Sequence, residues 1–310
     1  MTPLTAVHLA RIYKQAGVPD GVFNVLQGAG DVGRMLVSEP AIRKVSLTGE
    51  VGTGRRVMAG AAETLKYVTL ELGGKSPLII FEDADIDNAV SAAMLANFYS
   101  AGEICSNGTR VFVHVSIRDR FLAALKERVE KIRVGEPLDP DTQMGSLISQ
   151  GHMEKVLAYI EIGKQEGARL LTGRLPCAGR RAGARGVCSP DRFLRIVWMR
   201  CASCRKKFLV LSWLLPILSR RMKSLRVPMR PFLVWRRVCF SADLTRAHRV
   251  IHQLEAGTCW INTYNITPIE LPFGGYKQSG LGRENSRLAV EHYTQVKSVY
   301  VALGGVDAPY

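Results

Sequence analysis

The chain has no apolar run long enough to cross a bilayer and no charged-then-apolar leader at its start. No membrane partner is expected, and the cytoplasm is the expected compartment. Seven cysteines, an odd number without a regular framework, argue against a disulfide scaffold and suit a reducing compartment. Internal repeats are lacking too, which excludes a solenoid. The sharpest scarcity is of acid in one window. Between Gly173 and Ser241 there is no glutamate and one acid, Asp191, against 17 Lys and Arg; the same window holds five of the seven cysteines and three of the four tryptophans. The rest of the chain carries 25 basic and 26 acidic residues, so the net charge of +15 belongs to this block alone. A charge that size spread over the whole surface would suggest nucleic acid. Confined to one block, it gives no reason to expect a nucleic-acid partner for the remainder.

What is present is a globular composition, 47% hydrophobic over 310 residues, enough for one large or two ordinary domains. Apolar spacing predicts helices over 4–16, 31–38, 52–61, from Asp83 to Phe98, 117–130, 149–166 and from Leu244 to Leu254. Strands are predicted at Val22–Leu26, Val45–Leu47, Val68–Leu70, Leu78–Ile80, Val111–Val113, Cys259–Ile261 and, as an edge or interface strand, Val296–Val301. This alternation predicts an α/β fold with a parallel sheet.

Four segments are candidates for chemistry. Gly28-Ala29-Gly30-Asp31-Val32-Gly33 fits a glycine-rich dinucleotide pattern, but no convincing acid follows at the required distance, so a plain turn into a helix is the better reading. Thr48-Gly49-Glu50-Val51-Gly52-Thr53-Gly54 is better placed, after a buried strand and at the opening of a helix, where backbone N–H groups attract phosphate. Cys105, in a loop of small residues from Ser100 to Arg110, is a candidate nucleophile. Glu71, in Leu70-Glu71-Leu72-Gly73-Gly74-Lys75, is a candidate base for it. Alone, Cys105 reads equally as a quiet thiol and Glu71 as a surface acid; the ordered pair points to covalent thioester chemistry.

Together with Pro272-Phe273-Gly274-Gly275-Tyr276-Lys277-Gln278-Ser279-Gly280 and Gly282-Arg283-Glu284-Asn285, these segments resemble the aldehyde dehydrogenase superfamily over residues 1 to about 173 and 240 to 310. The stretch from Val250 to Asn262 and the ending Ala308-Pro309-Tyr310 resemble its betaine aldehyde dehydrogenase branch. The resemblance implies an aldehyde-dehydrogenase-like α/β fold: a partial Rossmann-type NAD-binding domain over 1–72, a catalytic domain over 73–280 and a C-terminal oligomerisation segment over 281–310. It implies oxidation of an aldehyde, betaine aldehyde to glycine betaine, with NAD or NADP as cofactor, in a homo-oligomer. By matching position it makes Cys105 the nucleophile, Glu71 the base and Glu284 a supporting charge-relay residue. Gly49, Glu50, Val51 and Gly52 would lie at the cofactor, with Gly73 and Cys105 near the nicotinamide. Leu65, Lys277 and Gly280 match positions that hold a potassium ion through backbone carbonyls. A quaternary ammonium substrate favours aromatic faces, and Phe273 and Tyr264 are candidates, with ordinary core aromatics as the alternative.

The chain also departs from the family pattern. The resemblance implies an upstream segment, absent before Met1, with an oxyanion-hole asparagine and a ribose-binding lysine, so little or no dehydrogenase activity is expected of these 310 residues. Residues 174–239 match nothing in the pattern. Where the family carries Glu-Glu-Ile-Phe-Gly-Pro, this chain reads Lys206-Lys207-Phe208-Leu209-Val210-Leu211, which codons for the family block encode when read one base later. A frameshifted stretch over 174–239, restored near Val238, is therefore expected; Cys201-x-x-Cys204 is then accidental, and the apolar run Leu209–Leu218 is an aggregation hazard. Two rival functions remain: a cofactor-free thioester or ester hydrolase using Cys105 and Glu71, and a basic interaction protein using 174–239.

Overall fold

The computed structural model describes residues 3–165, 169–173, 195–198, 212–213, 217–218, 233–234 and 236–310. Lys206–Leu211, the Cys201-x-x-Cys204 pair and six of the ten residues of the Leu209–Leu218 run lie outside the described residues, and with them most of the segment on which the basic-interaction reading rests.

Helices α1 (Pro3–Gln15) and α2 (Gly30–Ser38) precede strand β1 (Lys44–Gly49), helix α3 (Val51–Ala62) and strand β2 (Tyr67–Leu72). β1 and β2 pair in parallel, Thr48 opposite Glu71, and the Gly280–Leu281 strand adds to the other edge of β2 antiparallel, Gly280 opposite Glu71. Gly54 lets α3 lie close on this sheet, because a Cβ there would stand 2.7 Å from Leu72 Cδ1.

A second, all-parallel sheet holds the main core, in the order Thr258–Ile261, Arg236–Phe240, β3 (Pro77–Ile80), β4 (Arg110–His114) and Ile217–Leu218. Its side chains alternate as a pleated strand requires. Leu78, Ile80, Val111, Val113, Val238 and Phe240 share one cluster with α4 (Ile86–Phe98) and α5 (Arg118–Glu130). Ile79, Phe112 and Cys239 face the Leu244–His252 helix on the other side. Asp85 caps α4, accepting the Asp87 N–H at 2.9 Å, and Asp243 caps the Leu244–His252 helix, accepting the Arg246 N–H at 2.9 Å. The Asp83 carboxylate ties Arg236–Phe240 to β3: it accepts from Ser241 Oγ at 3.0 Å and from the Asp243 N–H at 2.9 Å.

The parallel α/β architecture and most predicted elements stand. Two predicted strands do not form. Val22–Leu26 is an exposed bend, in which Phe23 stacks on Tyr13 at 4.7 Å and Val22 continues a turn from Pro19. Val296–Val301 has the right alternation, yet among the described residues it has no paired strand, and Val296 is 99% exposed. A lone extended segment lacks the hydrogen bonds and packed face that hold a strand. Among the described residues no helix is long and apolar enough to cross a membrane.

Candidate active site

Glu71 sits in the middle strand of the first sheet, 5% exposed, and among the described residues neither carboxylate oxygen has a hydrogen-bond partner. Burial is the main reason its pKa rises to about 8; the Glu284 charge adds to this, and Arg283 and Arg236 oppose it. The adjoining backbone is fixed by the Leu72 N–H donating to the Ser279 carbonyl at 2.8 Å and by Ser279 Oγ–H donating to the Gly73 carbonyl at 3.0 Å. Nothing lies within 4 Å of a Cβ placed on Gly73, so the chain is open on that side.

Cys105 arrives from the other sheet. After α4 the backbone turns through left-handed Ser100, Ala101 and Gly102, a conformation that costs a non-glycine residue free energy and persists only where its surroundings hold it. Here they do. Asn107 Nδ2 donates to the Gly102 carbonyl at 2.7 Å, Asn97 Nδ2 to the Gly108 carbonyl at 3.1 Å, and Tyr264 Oη–H to the Ser106 carbonyl at 2.9 Å. The Cys105 thiol is free and half-buried. Burial raises its pKa; the Arg236 charge opposes this, Glu71 adds to it, and the backbone N–H groups of Cys105 and Ser106 pull it down. The Glu71 charge therefore reaches the Cys105 thiol: residues distant in sequence and held by two different sheets are brought within electrostatic reach.

Glu284 stands beside this pair. Its backbone bridges Phe273, with N–H···O distances of 2.7 and 2.8 Å, and its carboxylate accepts from Ser46 Oγ at 3.4 Å. Lys44, whose pKa is lowered by burial and raised by Glu284, bonds Thr69. Gly49 closes β1, and Glu50 precedes the first turn of α3, which carries no acid. The first i to i−4 bond there runs from the Gly54 N–H to the Glu50 carbonyl at 2.9 Å, so Val51, Gly52 and Thr53 offer the unsatisfied donors of a helix start. A Cβ on Gly52 would meet only the Glu50 carboxylate, at 3.8 Å or beyond. This open, donor-rich turn fits a pyrophosphate.

The positions matched to potassium fall in two places. Leu65 is an exposed turn residue at the end of α3, while Lys277 and Gly280 flank one turn, and Lys277 pairs with Glu255 at 2.5 Å. Among the described residues there is no cluster of three His, Cys, Asp or Glu side chains able to hold a metal.

Tyr264 and Phe273 reach the same region, with company the sequence did not announce. Trp260 packs on Tyr264 with ring centroids 5.0 Å apart. The Arg236 guanidinium lies 4.4 Å from the Trp260 ring centroid and 4.5 Å from that of Phe273. Trp260 could have been found from strand alternation at Thr258–Ile261. Arg236 could not, because its segment follows no readable pattern.

The sequence profile of the aldehyde dehydrogenase family matches residues 1–187 and 236–299. The unmatched interval, 188–235, is narrower at both ends than the 174–239 block marked by composition. The betaine aldehyde dehydrogenase of Cereibacter sphaeroides is 55% identical over 311 residues, covering all of this chain and 63% of the relative; that of Brucella ovis is 52% identical over 314 residues with the same coverage. Among solved structures, the betaine aldehyde dehydrogenase of Staphylococcus aureus in complex with NAD+ superposes with a TM-score of 0.85 at 33% identity, over 94% of this chain and 58% of that one. HpcC from Thermus thermophilus superposes with a TM-score of 0.89 at 36% identity, over 99% and 60%. The chain thus spans somewhat less than two thirds of the length of these relatives.

Proposed function

This chain belongs to the aldehyde dehydrogenase family, and from that premise we propose that its site oxidises an aldehyde to an acid through a thioester on Cys105. The observation that carries the reading is the buried Glu71 carboxyl, without a hydrogen-bond partner among the described residues and electrostatically coupled to the Cys105 thiol. A carboxyl held in that state costs stability, and it has the properties of a base tuned toward neutral pH.

The Cys105 thiolate adds to the aldehyde carbon, forming a C–S bond while the carbonyl π pair moves to oxygen. The Cys105 backbone N–H can donate to that oxyanion. NAD(P)+, when bound, accepts the hydride that turns the adduct into a thioester; the Val51–Thr53 turn would hold its pyrophosphate, with Gly73 leaving room beside Glu71. Deprotonated Glu71 then takes a proton from water, hydroxide adds to the acyl carbon, and the C–S bond breaks to release the acid and the thiolate. Glu284 biases Glu71 toward its protonated form, the supporting role its position suggests.

Similarity to betaine aldehyde dehydrogenases supports betaine aldehyde as substrate and glycine betaine as product. Phe273 and Tyr264 would supply aromatic faces to the trimethylammonium group. Potassium at the Leu65, Lys277 and Gly280 carbonyls, a homo-oligomer formed through 281–310, the 1–72, 73–280 and 281–310 domain division and a cytoplasmic site belong to the same reading. Turnover of that cationic aldehyde by these residues is expected to be slow, because Arg236 already lies on Phe273. The test is NADH release from a small neutral aldehyde. Slow release that depends on Cys105 supports the reading; equal release by Cys105→Ala overturns it. A cofactor-free ester hydrolase would use the same thiol and carboxyl, and hydrolysis of a chromogenic ester without NAD+ distinguishes it.

A further inference from the structure

Arg236 and Arg237 are 1% and 0% exposed, on a central strand of the main sheet. Across the sheet they face Thr258 and Cys259, and the residues that follow on the same strand, Val238, Cys239 and Phe240, are apolar and at most 1% exposed. Among the described residues, Nε and both terminal nitrogens of Arg237 have no hydrogen-bond partner, and burial drives its pKa down to about 10. A buried guanidinium without hydrogen bonds is costly even where a charge such as Glu255 offsets part of the burial, and no part of the proposed reaction uses this one. Arg236, one residue earlier and so on the opposite face of the sheet, lies against Trp260 and Phe273, close enough to bias both Cys105 and Glu71.

Three further facts bear on this pair. It adjoins the interval that the family profile does not match, 188–235. It belongs to the window that is rich in Arg, Cys and Trp and lacks glutamate. From Ser241 onward the chain makes ordinary partnered contacts, such as those of Asp83 with Ser241 and Asp243. The genetic code supplies the connection. Trp235 can only be TGG. If Arg236 is a CGN codon, the same bases read one position earlier give GCG, alanine; if Arg237 is also CGN, the next triplet is NCG, which is alanine, serine, threonine or proline. The overlapping frame thus places small residues where this buried strand carries two arginines.

We propose that Arg236 and Arg237 are products of a displaced reading frame over a strand that encodes small residues, and that Arg236 consequently plugs the aromatic end of the Cys105 site with a cation of its own. The frame rests on the codons and the burial. The plug rests additionally on the proposed reaction at Cys105, and it deepens that reading: a cationic substrate competes with Arg236 for Phe273 and Trp260, while a neutral aldehyde does not need those faces.

Two experiments separate the halves. The gene sequence is expected to show CGN at both arginine codons, with single-base differences from its relatives bracketing the interval. AGA or AGG at codon 236 puts glutamate in the other frame and overturns the frame, as does an interval free of such differences. In protein, urea midpoints and the rate of Cys105 alkylation are compared for the full chain, Arg236→Ala and Arg237→Ala. Both substitutions are expected to raise the midpoint. Tetramethylammonium is expected to slow alkylation of Arg236→Ala by roughly threefold relative to equal potassium chloride, and to leave the parent unaffected. Equal slowing in both, or none in Arg236→Ala with its midpoint raised, overturns the plug and leaves the codon result standing.

Discussion

Two strands of this molecule each bury charge without a hydrogen-bond partner among the described residues, and the difference between them separates function from accident. On β2 the charge is Glu71. It lies next to an open glycine, shares its electrostatic field with a thiol, and is raised to a pKa at which it can accept a proton near neutrality. On the Arg236–Phe240 strand it is Arg237, whose electrostatic neighbours are Cys259 and Glu255. A buried charge suggests a site when it can exchange a proton near neutrality beside a reactive group, as Glu71 can and a guanidinium held at about 10 cannot. Burial alone is equally the mark of a sequence at odds with its backbone.

The largest effect expected from breaking this comparison is on the β2 side. Glu71→Gln should slow hydrolysis of an acyl group on Cys105 by about 10²–10⁴-fold, measured as decay of the acylated protein by mass spectrometry. On the other strand, Arg237→Ala should stabilise by ~1–4 kcal/mol, read from the urea midpoint; a lower midpoint would mean that the guanidinium is compensated after all. Gly54→Ala, which drives a Cβ against Leu72, should destabilise by ~1–3 kcal/mol in the same assay. The gentlest probe is pH. The folded Glu71 pKa of about 8 lies above its ordinary value of 4.5, so the folded chain keeps a proton that the unfolded chain has lost. Stability should therefore fall as pH rises from 4.5 to 8, and Glu71→Gln should remove that part of the slope.

The sequence carried far into the structure where pattern and packing agree. Helical spacing over 52–61 and the apolar run Val111–Val113 became α3 and β4 because α3 buries Val51, Gly54 and Ala61 and β4 is covered on both faces. Cys105 and Glu71 stood out in the sequence because Cys105 lies in a loop of small residues and Glu71 lies on a strand that runs into Gly73-Gly74. Val296–Val301 has no paired strand among the described residues of this chain: alternation states which face a strand would bury and not whether a neighbour lies beside it. The left-handed run Ser100–Gly102 was hidden for a related reason: Ser and Ala carry no local preference for that conformation, and bonds from Asn97, Asn107 and Tyr264 elsewhere in the loop and core hold its surroundings. Trp260 beneath Arg236 depends on the register between strands, which a single strand does not encode.

The most direct test is the pH dependence of deacylation after Cys105 is acylated with a chromogenic acetate ester. The account predicts one acetyl group on the Cys105 peptide, decaying faster as pH rises through about 8, with that rise absent in Glu71→Gln. An acetyl group on another residue, or the same pH profile in both proteins, would contradict it.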